Sequence, residues 1–140
     1  MDNFTEKTAE IILFARNLAK KYSNPVITEC HVARAMLLDA GALTPKIIEL
    51  GKGKVSLISE LVEKEIEKLP KAYGSDVKDA VLSNSMILIL KKSQEAAVKH
   101  GEELVTVERL FQTILENSKL VEDIVRIGGA TREDIENGIK

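Results

Sequence analysis

The feature that most constrains this chain is a gapless internal repeat. Thr5–Val32 lies over Ser83–Leu110 at an offset of 78 residues, setting Ala19 on Ala97, Lys21 on Lys99, Ile27 on Val105 and Thr28 on Thr106. The same register carries Leu37 onto Leu115, and after the loss of one residue Ile47–Gly51 falls on Ile124–Gly128 at an offset of 77. A duplicated sequence implies duplicated supersecondary units, each too small to bury its apolar stripes alone, so the two copies must pack on each other.

Each copy reads as four helices. Ile11, Ile12, Ala15, Leu18, Ala19 and Tyr22 recur at helical spacing behind Thr5, whose hydroxyl suits an N-cap. Asn24-Pro25 breaks that helix, and Thr28 opens a second, with the stripe Val32, Ala35 and Met36 and an end near Gly41. Thr44-Pro45 reads as a cap followed by proline at the first position of a short third helix closed by Gly51. Val55, Ile58, Val62, Ile66 and Leu69 form a fourth, stopped by Pro70.

The second copy repeats the order. Ser83 caps a fifth helix ended by Gly101, Thr106 a sixth, Ser118 a seventh ended by Gly128, and Thr131 a short eighth. No stretch has the period-two alternation of a strand. The expected fold is all-α, with eight helices as a tandem pseudo-twofold repeat of two four-helix units. It forms one domain, 1–140: repeat one at 4–69, a linker at 70–82 holding Gly74, Ser75 and Asp76, and repeat two at 83–140. A groove between the copies follows from that arrangement, and grooves between helices are common binding places.

Composition narrows the function. Of the 140 residues, 20 are Lys or Arg and 22 Asp or Glu, a formal charge of -2, and the basic residues form no stripe. With no Trp and 4% aromatic residues, both the electrostatic footprint and the stacking platform of a nucleic-acid binder are missing. Single Cys30 cannot form an internal disulfide, and the start lacks the basic-then-apolar layout of a secretion signal, so the cytoplasm is expected. Met86–Leu90 is an apolar run of five residues, far below the roughly 18 of a membrane span.

That run is also the most informative stretch for binding. Five consecutive apolar residues sweep more than one helix face, so one core cannot take them all: some of Leu88, Ile89 and Leu90 should approach the surface, and Leu88 and Leu90 are the candidates to engage an extended apolar peptide. The competing reading is a helix buried on two sides. Cys30 beside His31 is no thiol–base dyad, because helix neighbours point about 100 degrees apart. Two histidines and one cysteine at these spacings form no recognisable metal site.

Phe4-Thr5-Glu6-Lys7, Ile27-Thr28-Glu29-Cys30-His31-Val32 and its second copy Val105-Thr106-Val107-Glu108-Arg109-Leu110 together resemble the Clp amino-terminal domain, a tandem of two four-helix units at the front of ATP-driven unfoldases. Leu69-Pro70 with Gly74 beyond, and the His100-Gly101-Glu102-Glu103 turn, are similar to its ClpB-type disaggregase branch. The resemblance implies a non-catalytic outrigger. It would engage exposed hydrophobic segments of unfolded or aggregated proteins for a hexameric ring of ATPase modules elsewhere in the same parent chain. No Gly-x-x-x-x-Gly-Lys-Ser/Thr run occurs, so ATP and magnesium would belong to those modules and no cofactor to this domain.

From the same resemblance, Thr5, Glu102 and Glu108 stand at positions that contribute to substrate handling in related domains. Each has a structural reading beside it: Thr5 as a cap, and Glu108 as a first-turn carboxylate favoured by the helix dipole by about 0.3–1 kcal/mol. The chain departs from the family pattern at Cys30, where the first motif carries glutamate, and at Arg109, in place of the second motif's histidine. Both departures speak against the recognition of phosphorylated arginine that the ClpC branch performs with paired glutamates. The alternative function is docking of adaptors or substrates by a ClpA- or ClpC-type unfoldase that feeds a protease.

Overall fold

The structure is a computed structural model that describes residues 2–39, 41–73 and 79–139. Eight helices occur among them: α1 (Glu6–Lys21), α2 (Glu29–Leu38), α3 (Thr44–Leu50), α4 (Val55–Glu67), α5 (Asn84–Lys99), α6 (Val107–Asn117), α7 (Lys119–Ile127) and α8 (Arg132–Ile139). The cap residues read from the sequence form most of the starts. Thr5, Thr28, Ser83, Thr106 and Ser118 each accept a backbone N–H from the first turn of their helix. Thr131 and Asp134 cap α8 reciprocally, side chain to backbone, at 3.1 Å each way.

The third helix differs from expectation. Its N-cap is Leu43, Thr44 and Pro45 lie in the first turn, and the buried Thr44 hydroxyl has no hydrogen-bond partner among the described residues. Thr44 is the counterpart of Val121, a core residue of α7, so its side chain is committed to packing and cannot fold back over the helix end. Gly101 follows α5 with φ +74°, a left-handed turn that glycine adopts freely.

The expectation of no strand also requires correction. Val26–Ile27 (β1) and Val81–Leu82 (β2) form a short parallel pair, and Phe4 bridges Val105 in the same sense. Two residues per strand are too few to show alternation. β2 occupies the end of the stretch read as a linker, while Gly74, Ser75 and Asp76 lie outside the described residues.

These bridges expose the symmetry. The repeat register carries Phe4 onto Leu82 and Ile27 onto Val105, so the Ile27–Leu82 and Phe4–Val105 bridges are one contact seen twice with the copies exchanged. Their hydrogen bonds match, Thr5 N–H to Val105 O at 3.1 Å and Ser83 N–H to Ile27 O at 2.9 Å. Packing follows the same rule: α3 lies on α8 and α4 on α7. A single core of buried residues runs through both copies, from Ile11, Met36 and Ile58 to Met86, Leu110 and Ile135. The α4–α7 approach is close enough that a Cβ on Gly128 would lie 2.2 Å from an Ile58 side-chain carbon.

Candidate functional site

Five residues were singled out from the sequence, and the fold brings two of them together. Thr5 and Glu108, one from each copy, line an open depression of about 300 Å³ with Lys7, Ala42, Leu43 and Thr106. It exists because the starts of α1 and α6 meet across the pseudo-twofold, tied by the Thr5–Val105 backbone bond. The Thr5 hydroxyl accepts the Thr8 N–H at 3.1 Å and lies 2.7 Å from the Thr8 hydroxyl, so it serves as a cap while remaining part of the wall.

Charge in the depression is unevenly committed. Lys7 donates to Asp39 at 2.9 Å, which raises the lysine pKa and, from the other side, holds the Asp39 carboxyl below its ordinary value. Glu108 forms no ion pair or hydrogen bond among the described residues through its carboxylate. Leu43 is half exposed beside it. An apolar side chain, a carboxylate unpaired among the described residues and two helix-capping hydroxyls put mixed polar and apolar groups on one open wall.

Glu102 has a different assignment. Its carboxylate takes two hydrogen bonds from the buried Arg109, Nε at 3.0 Å and Nη2 at 3.2 Å, and that guanidinium lowers the Glu102 pKa. It does not line the depression. Gln112 accepts from the remaining Arg109 nitrogen, so the guanidinium is held on both sides.

Leu88 and Leu90 part company. Leu88 is 50% exposed and Leu90 only 8%, so the expectation that both could meet a partner fails for Leu90. At 3.6 residues per turn, Met86, Ile89, Leu90, Ser93 and Ala97 fall on one face and are buried, which leaves Ile87 and Leu88 outside. The helix is thus buried on one face, so the reading of a helix buried on two sides fails and the exposed apolar surface falls at Ile87 and Leu88.

Sequence reasoning missed Lys7, Ala42 and Leu43. Leu43 gave no signal of exposure, since it stands four residues before Ile47, the spacing of the stripe that α3 buries, and its place at the N-cap leaves it half exposed. Cys30, the counterpart of Glu108, is buried, and desolvation pushes its thiol pKa up to about 12, which removes it as a nucleophile at neutral pH. His31 bonds to Thr28 and Asn24 and not to Cys30. Among the described residues no helix is long and apolar enough to cross a membrane.

Comparison with known proteins places this geometry. Residues 3–126 match the family described as Clp repeat (R) N-terminal domain. The "Chaperone protein ClpB" of Brucella suis biovar 1 (strain 1330) is 27% identical over 132 residues, 94% of this chain and 15% of its own length. That of Rickettsia conorii (strain ATCC VR-613 / Malish 7) is 23% identical over 139 residues, 99% and 16% respectively. The chain therefore spans about 15% of the curated relatives it matches. Among solved structures, the Hsp104 N-terminal domain from Candida albicans superposes with a TM-score of 0.83 at 18% identity, covering 97% of this chain and 88% of that one. The N-terminal domain of ClpV1 ATPase from E. coli gives 0.79 at 17%, covering 97% and 83%. Duplicated sequence, exchanged contacts and these matches agree: the chain belongs to the Clp repeat N-terminal domain family.

Proposed function

We propose that this chain is the substrate-engaging domain of a ClpB-type disaggregase, taking hold of exposed hydrophobic segments of unfolded or aggregated polypeptides in the cytoplasm. It does no chemistry itself. Hydrolysis of ATP belongs to ATPase modules of a parent chain, assembled as a hexamer. The observation that carries the reading is the depression where Thr5 of one copy meets Glu108 of the other, with a half-exposed leucine and an uncommitted carboxylate on its wall. The likeness to ClpB over nearly the whole chain supports the choice of branch.

Binding is expected to be weak, because a shallow wall of this size contributes few buried contacts. Fluorescence anisotropy with a labelled, permanently unfolded protein tests it. Leu43→Ser and Glu108→Gln should each weaken binding by about three-fold or more, the loss of one partly buried contact. Unchanged affinity in both variants would overturn the reading.

A second reading is supported by the likeness to ClpV1 and to the N-terminal domain of ClpD from Arabidopsis thaliana, at a TM-score of 0.73, because one fold serves several motors. In it the domain docks an adaptor for a ClpA- or ClpC-type unfoldase. Coding sequence beyond Lys140 discriminates: a long coiled-coil insertion in the first ATPase module favours the disaggregase, and a protease-docking loop in the second favours the alternative.

A further inference from the structure

The short β1–β2 pair leaves an edge. In a parallel ladder each strand uses alternate residues, and here the recorded bonds are Val81 N–H to Pro25 O at 3.1 Å and Ser83 N–H to Ile27 O at 2.9 Å. The groups of residues 25 and 27 therefore face β2, and those of Val26 face the other way. Neither the N–H nor the C=O of Val26 has a hydrogen-bond partner among the described residues.

Beside that edge lies a slot of about 240 Å³ walled by Pro25, Val26, Leu69 and Pro70, with Asn24 and Thr28 at its ends. No residue of β2 contributes to it. Its polar ends are already satisfied internally. Asn24 accepts from His31 Nε2 at 2.9 Å and donates to Pro70 O at 3.0 Å, and Thr28 donates its N–H to His31 Nδ1 at 2.9 Å. An apolar slot next to one unpaired main-chain donor and acceptor fits one chemistry: an extended polypeptide that pairs with the edge and inserts an apolar side chain. A helical partner has no free main-chain groups to offer.

The other copy differs among the described residues. The counterpart of Val26 is Leu104, and the hollow of about 130 Å³ lined by Asn3, Gln94 and Glu103 lies on the side of Asn3, the counterpart of Val81 in β2, and so on the paired side of that segment. We propose that β1 is a docking edge where an extended, apolar segment of an unfolded chain adds as a strand beside Val26, with a side chain between Pro25, Leu69 and Pro70. The inference rests on the reading that this domain engages unfolded polypeptide, and places a second contact point for it, separate from the Thr5–Glu108 depression.

A ten-residue peptide of alternating valine and threonine, and the same peptide N-methylated at alternate main-chain amides, test it by titration into the 15N-labelled chain. The unmodified peptide should shift the amides of Val26 and Leu69, and either its N-methylated form or the Val26→Pro variant should bind about five- to ten-fold more weakly, as expected for loss of one or two main-chain hydrogen bonds. Val26→Pro removes an N–H that the fold does not use, and the methylated peptide keeps the test on the unaltered chain. Equal binding of both peptides, or shifts confined to Thr5, Leu43 and Glu108, overturns the edge while leaving the proposed function standing. No binding of either peptide at millimolar concentration overturns the edge as well, and the anisotropy measurement with unfolded protein then decides the wider reading on its own.

Discussion

Glu102 grips Arg109 through two hydrogen bonds, and the repeat places Asn24 and His31 in the same two positions of the other copy, joined by a single neutral bond of 2.9 Å. One architectural tie, between the loop before a helix and the third residue of that helix, is thus made by an ion pair in one copy and by an amide and an imidazole in the other. Arg109 and His31 are both buried. This identifies Glu102 as a residue that holds α6 to its loop, whatever acidic residues do at that position elsewhere.

Glu102→Gln should therefore lower stability and leave binding alone. Removing the charge leaves a buried guanidinium with a poorer partner, though the site is partly open to water, so the loss expected in urea melts is about 1–2 kcal/mol. Affinity for unfolded protein should stay within two-fold of the parent, a ratio to be read in the anisotropy assay. A loss of affinity without a loss of stability would return Glu102 to the binding surface.

His31 makes stability depend on pH. Its imidazole is fully buried, and desolvation pushes its pKa from 6.5 down to about 4, while Nδ1 accepts the Thr28 N–H that an imidazolium could not. Because the unfolded chain takes up the proton first, the stabilisation is complete above pH 6.5 and is lost as pH falls toward 4, by at most about 3 kcal/mol. Chemical denaturation across pH 4 to 7 should show the fall, and the gap between the parent and His31→Gln should narrow toward pH 4. A gap independent of pH would mean the histidine is not held neutral.

Gly128→Ala probes the seam between the copies. The added methyl meets Ile58 Cγ1 at 2.2 Å and Cδ1 at 2.7 Å and must displace them, so a loss of about 1–3 kcal/mol is expected, and the same substitution should cost less in the background of Ile58→Ala, which removes both atoms. Thermal melts of the single and double variants measure this. Additive losses would show that α4 and α7 are not packed as described.

Thr5 can be separated into its two roles. Thr5→Ser keeps the hydroxyl that accepts the Thr8 N–H, whereas Thr5→Ala removes it and should lower stability by about 1 kcal/mol. If the hydroxyl also touches substrate, Thr5→Ala loses affinity at a temperature where it is fully folded, and Thr5→Ser does not. Equal affinity in all three proteins would leave Thr5 as a cap alone.

What was legible in the sequence followed from local chemistry. The caps at Thr5, Thr28, Ser83, Thr106 and Ser118 announce themselves by residue type, and the repeat fixes which helices correspond. Less could be read where neighbours far along the chain decide. The Thr44 hydroxyl is drawn into the core position that Val121 fills in the other copy, and β1 and β2 hold two residues each, paired only because the fold brings 26 and 81 together. The run Met86–Leu90 named an exposed surface without its phase, and the positions of Ser93 and Ala97 on the buried face decide between Leu88 and Leu90. The Thr5–Glu108 depression was half visible: both residues were named, but Lys7 and Leu43 joined them only through tertiary packing.

The most direct test of the central claim is an amide-shift map of the 15N-labelled chain titrated with a permanently unfolded protein. Thr5, Leu43, Thr106 and Glu108 should move together with a common saturation curve, and Glu108→Gln should suppress the response of all four. Saturating shifts that spare these four residues, or none at millimolar ligand, would contradict the claim that polypeptide is met where the two copies join.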